Sequence, residues 1–493
     1  RHDKETIKTI AAAFAVVALG ALGDPAAVPR LASLLRDDRE GRTLVEGKRV
    51  ATRLRAFAAY GLGLQAAETP KTDLRRYVAL QLFAALDEDP AGTQDVEVAV
   101  LTAIGLVPLP AAAPGDRIDP EETDEEPFGS RGAQVRALLR VFDDARRADV
   151  VRGNAAVPAA RLARDVPGLK ALVAARLLDA VRPGTRTPQI VRQGATIALG
   201  VLLDDDEDAL DSSLRTSLLR IAKEGERLER RFAWMALAEG TSRPGGGERS
   251  ERAVEAVREA LLHELAEGTT PSRPWAALAL GVLEHRRARF DLPGSTRVGD
   301  ALTTALATGA SPEEEAALCL ALGLAGEVRA REAIEKRVEG ESDFLRGFAC
   351  VGLGLLDADA SVPKLRKTLK EALVRPRLLA DAAVGLALVG DKETVLLLVE
   401  ELRKSNTLAR SASIATALAR MGDVRAVRPL VELLRDREGA TSLTRAYAAV
   451  ALGGICDESP LPFNARLSVD ALYILSPPTL TQPNEGGGVL DLQ

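Results

Sequence analysis

The sequence predicts an all-α protein, a right-handed α-α superhelix of about twelve stacked helix pairs. Three observations predict it. A ten-residue pattern recurs along the chain, as RAFAAYGLGL (residues 55–64), RQGATIALGV (192–201), RPWAALALGV (273–282), RGFACVGLGL (346–355) and RAYAAVALGG (445–454). Apolar residues follow helical spacing, with no sustained alternation of period two. The 493 residues are 46% apolar but only 3% aromatic, so the core is built from Ala, Leu and Val.

Each copy is anchored on a small residue near its end. The anchors are Gly20, Gly63, Gly105, Ala160, Gly200, Ala238, Gly281, Gly323, Gly354, Ala387, Ala419 and Gly453. They lie 31 to 43 residues apart, except for one interval of 55 between Gly105 and Ala160. Repeats over about 6–310 are long and those over about 311–457 short. One residue before the anchor stands a large aliphatic, as at Leu19, Leu62, Ile104, Leu199 and Leu280. Four before it stands mostly a small residue, as at Ala59, Thr196, Ala277, Cys319 and Cys350. Both positions fall on one helical face.

A short turn follows, as in Gly390-Asp391 and Gly422-Asp423, where glycine ends one helix and aspartate caps the next. The second helix is amphipathic. AVPRLASLLRDD (27–38) places Val28, Leu31, Leu34 and Leu35 on one face. AVRPLVELLRDR (426–437) repeats this with Val427, Leu430, Leu433 and Leu434. Pro29 and Pro429 fall in the first turn, where a missing N–H costs little. A single pair cannot bury its apolar face, so stacking must do so.

These residues resemble HEAT repeats, specifically the short bacterial type found in phycobilisome lyases. The resembling pattern is R-x-x-A-A-x-A-L-G-x-L-G-D-x-x-A-V-x-x-L. Residues 15–31 carry its later part and 415–430 a degraded version. The resemblance implies a HEAT/armadillo-type solenoid over residues 1–457. It leaves function open, because such folds include scaffolds, enzymes and nucleic-acid binders. An acidic loop insert interrupts the array at 108–130. A C-terminal cap and a Pro/Gly-rich tail are expected over 458–493.

Charge excludes some classes. Lys plus Arg is 65 and Asp plus Glu is 71, a net of −6. The whole deficit sits in PAAAPGDRIDPEETDEEPFGS (110–130), so no basic stripe marks a nucleic-acid binder. No apolar run reaches the ~18–20 residues of a membrane-spanning helix. Three cysteines exclude a disulfide framework, and three histidines leave little for a histidine metal site. The sequence starts at Arg1, so an upstream segment is expected. Lys4, Lys8 and the run from Ile10 imitate a secretory signal, but the same pattern recurs throughout and reads as a repeat helix. Cytoplasmic and exported locations both stay open.

Eight residues before the anchor stands a ladder of arginines: Arg55, Arg152, Arg192, Arg230, Arg273, Arg346 and Arg445. Its structural reading is pairing with carboxylates or carbonyls of neighbouring repeats. Six before the anchor lie Phe14, Phe57, Phe232, Trp275, Phe348 and Tyr447, read as packing rather than as a stacking platform. Cys319 and Cys350 read as small core residues, with Cys456 a candidate thiol.

The remaining motifs carry no catalytic, cofactor or metal assignment. His263-Glu264 resembles one element of deoxyhypusine hydroxylase, a di-iron HEAT-repeat enzyme, but a single pair cannot assemble that site. GLGLQA (61–66) follows no strand, so it lacks the geometry of a dinucleotide loop. SRPGGGERS (242–250) lacks the lysine of a phosphate loop. The run Asp204–Asp208 misses the EF-hand pattern, since Ala209 and Arg215 occupy positions six and twelve, and is read as a solvated turn. The resulting expectation is a non-enzymatic scaffold for a protein or peptide partner, with no cofactor and no nucleic acid. The resemblance leaves two alternatives, a bilin-lyase-like pigment handler and a nucleic-acid binder similar to the alkyl-DNA glycosylases.

Overall fold

The computed structural model describes residues 16, 20, 24–87, 93–111, 126–248, 251–308, 311–372 and 375–455. The acidic centre of the insert (112–125), Phe14, Cys456 and the expected cap and tail lie outside these residues. Among the described residues there are 23 α-helices and no β-strand. The helices fall into two units, residues 1–198 with 395–493, and residues 199–394.

The first unit contains α1 (Val28–Arg36), α2 (Arg39–Leu44), α3 (Thr52–Glu68), α4 (Thr72–Asp87), α5 (Gln94–Ile104), α6 (Arg131–Asp143), α7 (Asp149–Ala163) and α8 (Pro167–Ala180). Helix α9 (Gln189–Leu202) runs across the boundary. The second unit holds α10 (Ala209–Glu224), α11 (Arg227–Thr241), α12 (Glu251–Glu267), α13 (Arg273–Arg289), α14 (Thr296–Ala307), α15 (Pro312–Leu324), α16 (Arg331–Val338), α17 (Asp343–Leu355), α18 (Val362–Glu371) and α19 (Pro376–Leu388). The first unit resumes with α20 (Val395–Lys404), α21 (Leu408–Met421), α22 (Val427–Arg435) and α23 (Ser442–Ile455).

Odd-numbered helices from α3 onward are the first helices of the repeats, and each carries or abuts one anchor. In the first unit α3 packs on α5, α5 on α7, and α21 on α23. In the second, α11, α13, α15, α17 and α19 pack each on the next. The even helices are the second helices, and α2 is an extra turn. Two of the long repeats owe their length to their second helices: α10 and α12 have 16 and 17 residues, against 8 and 10 in α16 and α18.

One contact rule sets the register of the stack. Each glycine anchor faces the residue two places before the anchor of the following repeat. A Cβ added at Gly63 would stand 2.9 Å from the Ala103 Cα. Added at Gly105 it would meet Pro158 at 3.0 Å, at Gly200 the Ala236 Cα at 2.7 Å, and at Gly354 the Gly385 Cα at 2.8 Å. Gly20 meets Gly61 and Gly323 meets Gly352 in the same way. The rule holds across the 55-residue interval, so the acidic insert leaves the stacking of α5 on α7 intact. The contact is reciprocal: Gly352 presses on the Cys319 carbonyl and Gly385 on the Cys350 carbonyl. Only hydrogen-sized side chains permit backbones this close.

The turns follow their sequence chemistry. Gly422 closes α21 in the left-handed region at φ 58°, and Asp423 accepts the Arg425 N–H at 2.8 Å to start a 3₁₀ turn that leads into α22. Asp24 caps the turn into α1 in the same way. On α1 the apolar face is buried, with Leu31 and Leu35 fully covered. On α22 Leu430 and Leu433 are covered but Leu434 is 38% exposed. Helix α4 of the following repeat packs on α1, and among the described residues no second helix follows α22.

Candidate functional site

The arginine ladder is absorbed largely by the backbone. Arg55 Nε donates to the Leu35 carbonyl at 2.8 Å, Arg152 Nε to Phe142 at 3.0 Å, and Arg346 Nε to Val338 at 3.0 Å. All three acceptors lie in the last turn of the preceding second helix. Those carbonyls have no intrahelical donor and sit at the negative end of the helix dipole. Each guanidinium therefore caps the helix before it. Arg346 also reaches Glu371 at 2.8 Å. Arg192 donates to Thr187 ahead of its own helix, and Arg273 pairs with buried Glu314 at 2.8 Å. Arg445 Nε, like that of Arg273, is buried with no hydrogen-bond partner among the described residues. Burial lowers the Arg55 pKa, opposed by the nearby Asp37 carboxylate.

The aromatic column is mixed. Phe57 and Tyr447 are fully buried and Phe232 nearly so, whereas Trp275 and Phe348 are half-buried. Phe348 meets Phe344 edge-on at 4.9 Å. Cys319 and Cys350 are fully buried, and burial pushes both thiols up to about 12. His263 is exposed, while its neighbour Glu264 accepts the Ser272 hydroxyl. Glu284, the residue before His285, is buried. It accepts Arg258 Nε at 2.8 Å and the Ser295 N–H at 3.0 Å. The segment 61–66 is plain helix inside α3.

Two constellations stand out, both in the second unit. The first is a small open cavity of about 50 Å³ lined by Arg227, Arg230, Arg231, Trp234, Glu264 and Ser272. Arg231 lies 5.7 Å from the centre of the Trp275 ring and donates to the Pro271 carbonyl at 3.2 Å. Burial first, then the charges of Arg227 and Arg230, lower its pKa. Three guanidiniums converge there against one carboxylate, a chemistry suited to a small anionic group.

The second is the acidic turn between α9 and α10, and it corrects the expectation of a solvated loop. Asp205 is 2% exposed, Asp206 is 6%, and Asp211 is fully buried. The reason lies about forty residues away. The glycine-rich loop 242–248 folds over the turn, with Gly245 N–H donating to Asp205 at 2.9 Å and Gly247 N–H to Asp206 Oδ2 at 2.7 Å. A Cβ at Gly245 would collide with the Asp206 carboxylate. Arg243, on the same loop, donates to the Val201 and Leu203 carbonyls at the end of α9. Nothing in either segment alone shows that they meet.

Comparison with known proteins fits this architecture. The PBS lyase HEAT-like repeat family matches residues 11–37 and 412–436. The chain carries HEAT-like repeats at these two places. No curated protein sequence matches it. Among solved structures, this chain is similar to Kap95p in its RanGDP complex, at 13% identity and a TM-score of 0.37, over 89% of this chain and 62% of that one. It is similar also to the Kap95:Nup1 complex, at 13% identity and a TM-score of 0.39, over 90% and 63%. For Kap121p the values are 13% and 0.35, over 87% and 55%. The chain thus spans less than two thirds of the length of each. Among the described residues no helix is long and apolar enough to cross a membrane.

Proposed function

We propose that the chain is a non-enzymatic interaction scaffold that binds a protein or peptide partner, and not nucleic acid, along its second helices. One observation carries this reading. The glycine and cysteine columns and most of the arginine ladder turn inward or onto neighbouring backbone, while the outward residues of the second helices follow no repeat. Helix α1 exposes Arg30 and Arg36, α18 exposes Lys367, Lys370 and Glu371, and α20 exposes Leu396, Glu400, Arg403 and Lys404. Residues conserved from repeat to repeat serve stacking, and residues that differ are free to serve recognition. The three-arginine cavity beside Trp234, where the start of α11 meets the last turn of the second helix α12 at Glu264, would seat an acidic side chain of the partner.

Cross-linking pull-down from the source cell tests the reading. The expected result is one protein recovered reproducibly and lost when Arg227 and Arg230 are both replaced by glutamate. Recovery of no protein, or of nucleic acid alone, would overturn it.

A further inference from the structure

We propose that the turn between α9 and α10 is a calcium site, formed by the carboxylates of Asp204, Asp206 and Asp211 under the 242–248 loop. One oxygen from each of the three side chains lies within 4.8 Å of the others. Calcium takes oxygen ligands at about 2.3–2.6 Å, so ligands across one ion lie up to about 5 Å apart, and the three fit a single coordination sphere.

The independent sign of a ligand is Asp206. The residue is 6% exposed, its Oδ2 accepts the Gly247 N–H, and its Oδ1 is buried with no hydrogen-bond partner. A buried carboxylate oxygen without a donor is costly unless a cation meets it. The surrounding groups hold the other carboxylates in place. Asp211 Oδ1 accepts the Asp204 N–H at 3.0 Å, Asp204 Oδ1 accepts the Asp206 N–H at 3.1 Å, and Asp208 caps α10 through the Asp211 N–H at 2.7 Å. Arg215 donates to the backbone carbonyls of Asp204 and Asp206, at 3.5 and 3.2 Å.

The donor set selects the metal. It is all oxygen, with no nitrogen or sulfur for zinc. It is buried and already hydrogen-bonded to backbone, leaving little room for the several waters that magnesium keeps. An ion here would tie the α9–α10 turn to a loop of the next repeat. It would stiffen the stack at a turn in which two consecutive acids, Asp205 and Asp206, are buried.

The test is calorimetric titration of the chelator-stripped full chain with CaCl₂ and with MgCl₂, alongside thermal melts in calcium and in chelator. One calcium per chain is expected, with a higher Tm in calcium than in magnesium or chelator. Asp206→Asn keeps the acceptor for Gly247 but loses the charge, and should weaken binding at least tenfold and abolish the Tm rise. Asp204→Asn, at a less buried position, should do the same and serves if Asp206→Asn does not fold. Absence of saturable calcium binding, or binding unchanged in these variants as the acids of 116–126 would give, overturns the proposal.

Discussion

Gly281 and Ala321 stand back to back across adjacent first helices, so close that a Cβ on Gly281 would come within 2.7 Å of the Ala321 Cα. Backbone, unlike a side-chain tip, cannot step aside. Gly281→Val should therefore push α13 from α15 and destabilise the second unit by about 1–3 kcal/mol, as overpacked cores do. Urea denaturation followed by circular dichroism would read the loss. An unchanged midpoint would mean that the stack does not rest on this contact.

The arginine caps make a different prediction. Arg346→Met keeps most of the packing volume but leaves the Val338 carbonyl without its donor and Glu371 without its partner. A loss of about 1–3 kcal/mol is expected, as for hydrogen bonds to a charged group. Arg346→Lys should recover only part of it, because one ammonium cannot reproduce the planar fork. Equal stability of the methionine variant and the native chain would contradict the capping role.

Arg258 and Glu284 form an ion pair with both side chains 5% exposed, extended by Arg258 to Glu255. Glu284→Ala leaves the buried guanidinium with only the part-exposed Glu255 and should cost up to about 3 kcal/mol, whereas Arg258→Met with Glu284→Leu should cost far less. A double-mutant cycle measures the difference. Additive losses would show that the pair does not act as a unit.

Asp381 gives the pH dependence. Burial pushes its carboxyl up to about 6, with Arg377 pulling the other way. The unfolded chain ionises it near about 3.9, so folding disfavours the charged form. Its contribution to stability is full below about pH 4 and is lost as the pH rises through about 6. Asp381→Asn should match the native chain at pH 4 and exceed it by up to about 3 kcal/mol at pH 8. Chemical denaturation at the two pH values checks this, and a constant gap would contradict it.

The buried thiols offer a chemical check. With both pushed up to about 12, Cys319 and Cys350 should resist alkylation at pH 8 until the chain is denatured. Peptide mapping after iodoacetamide treatment reads each residue separately. Rapid native labelling of either would show that the first helices open.

The sequence made the helix pairs, the Gly-Asp turns and the anchors legible, because stacking repeats the same small residues at a fixed helical position. It also held a column that was overlooked: the position two before each anchor is Ala or Gly at Gly61, Ala103, Ala236, Ala321, Gly352 and Gly385, and this is the surface each anchor meets. The acidic cradle was not legible. Its lid comes from another repeat, and spacing within one segment carries no record of that. Glu284 left a fainter mark. It stands three residues after Gly281, where Gly63 and Gly200 are followed by Ala66 and Leu203. The same position holds Asp357 after Gly354, and that residue is exposed, so only the fold says that Glu284 is buried against Arg258.

The scaffold reading stands or falls on where a partner touches. A photo-cross-linking amino acid placed in turn at Lys367, Leu396 and Arg428, all exposed on second helices, and at Arg182 in an inter-helix turn, maps that contact in the source cell. The account predicts one discrete adduct from at least one second-helix position and none from Arg182. Adducts absent everywhere, or equally abundant from Arg182, would contradict it.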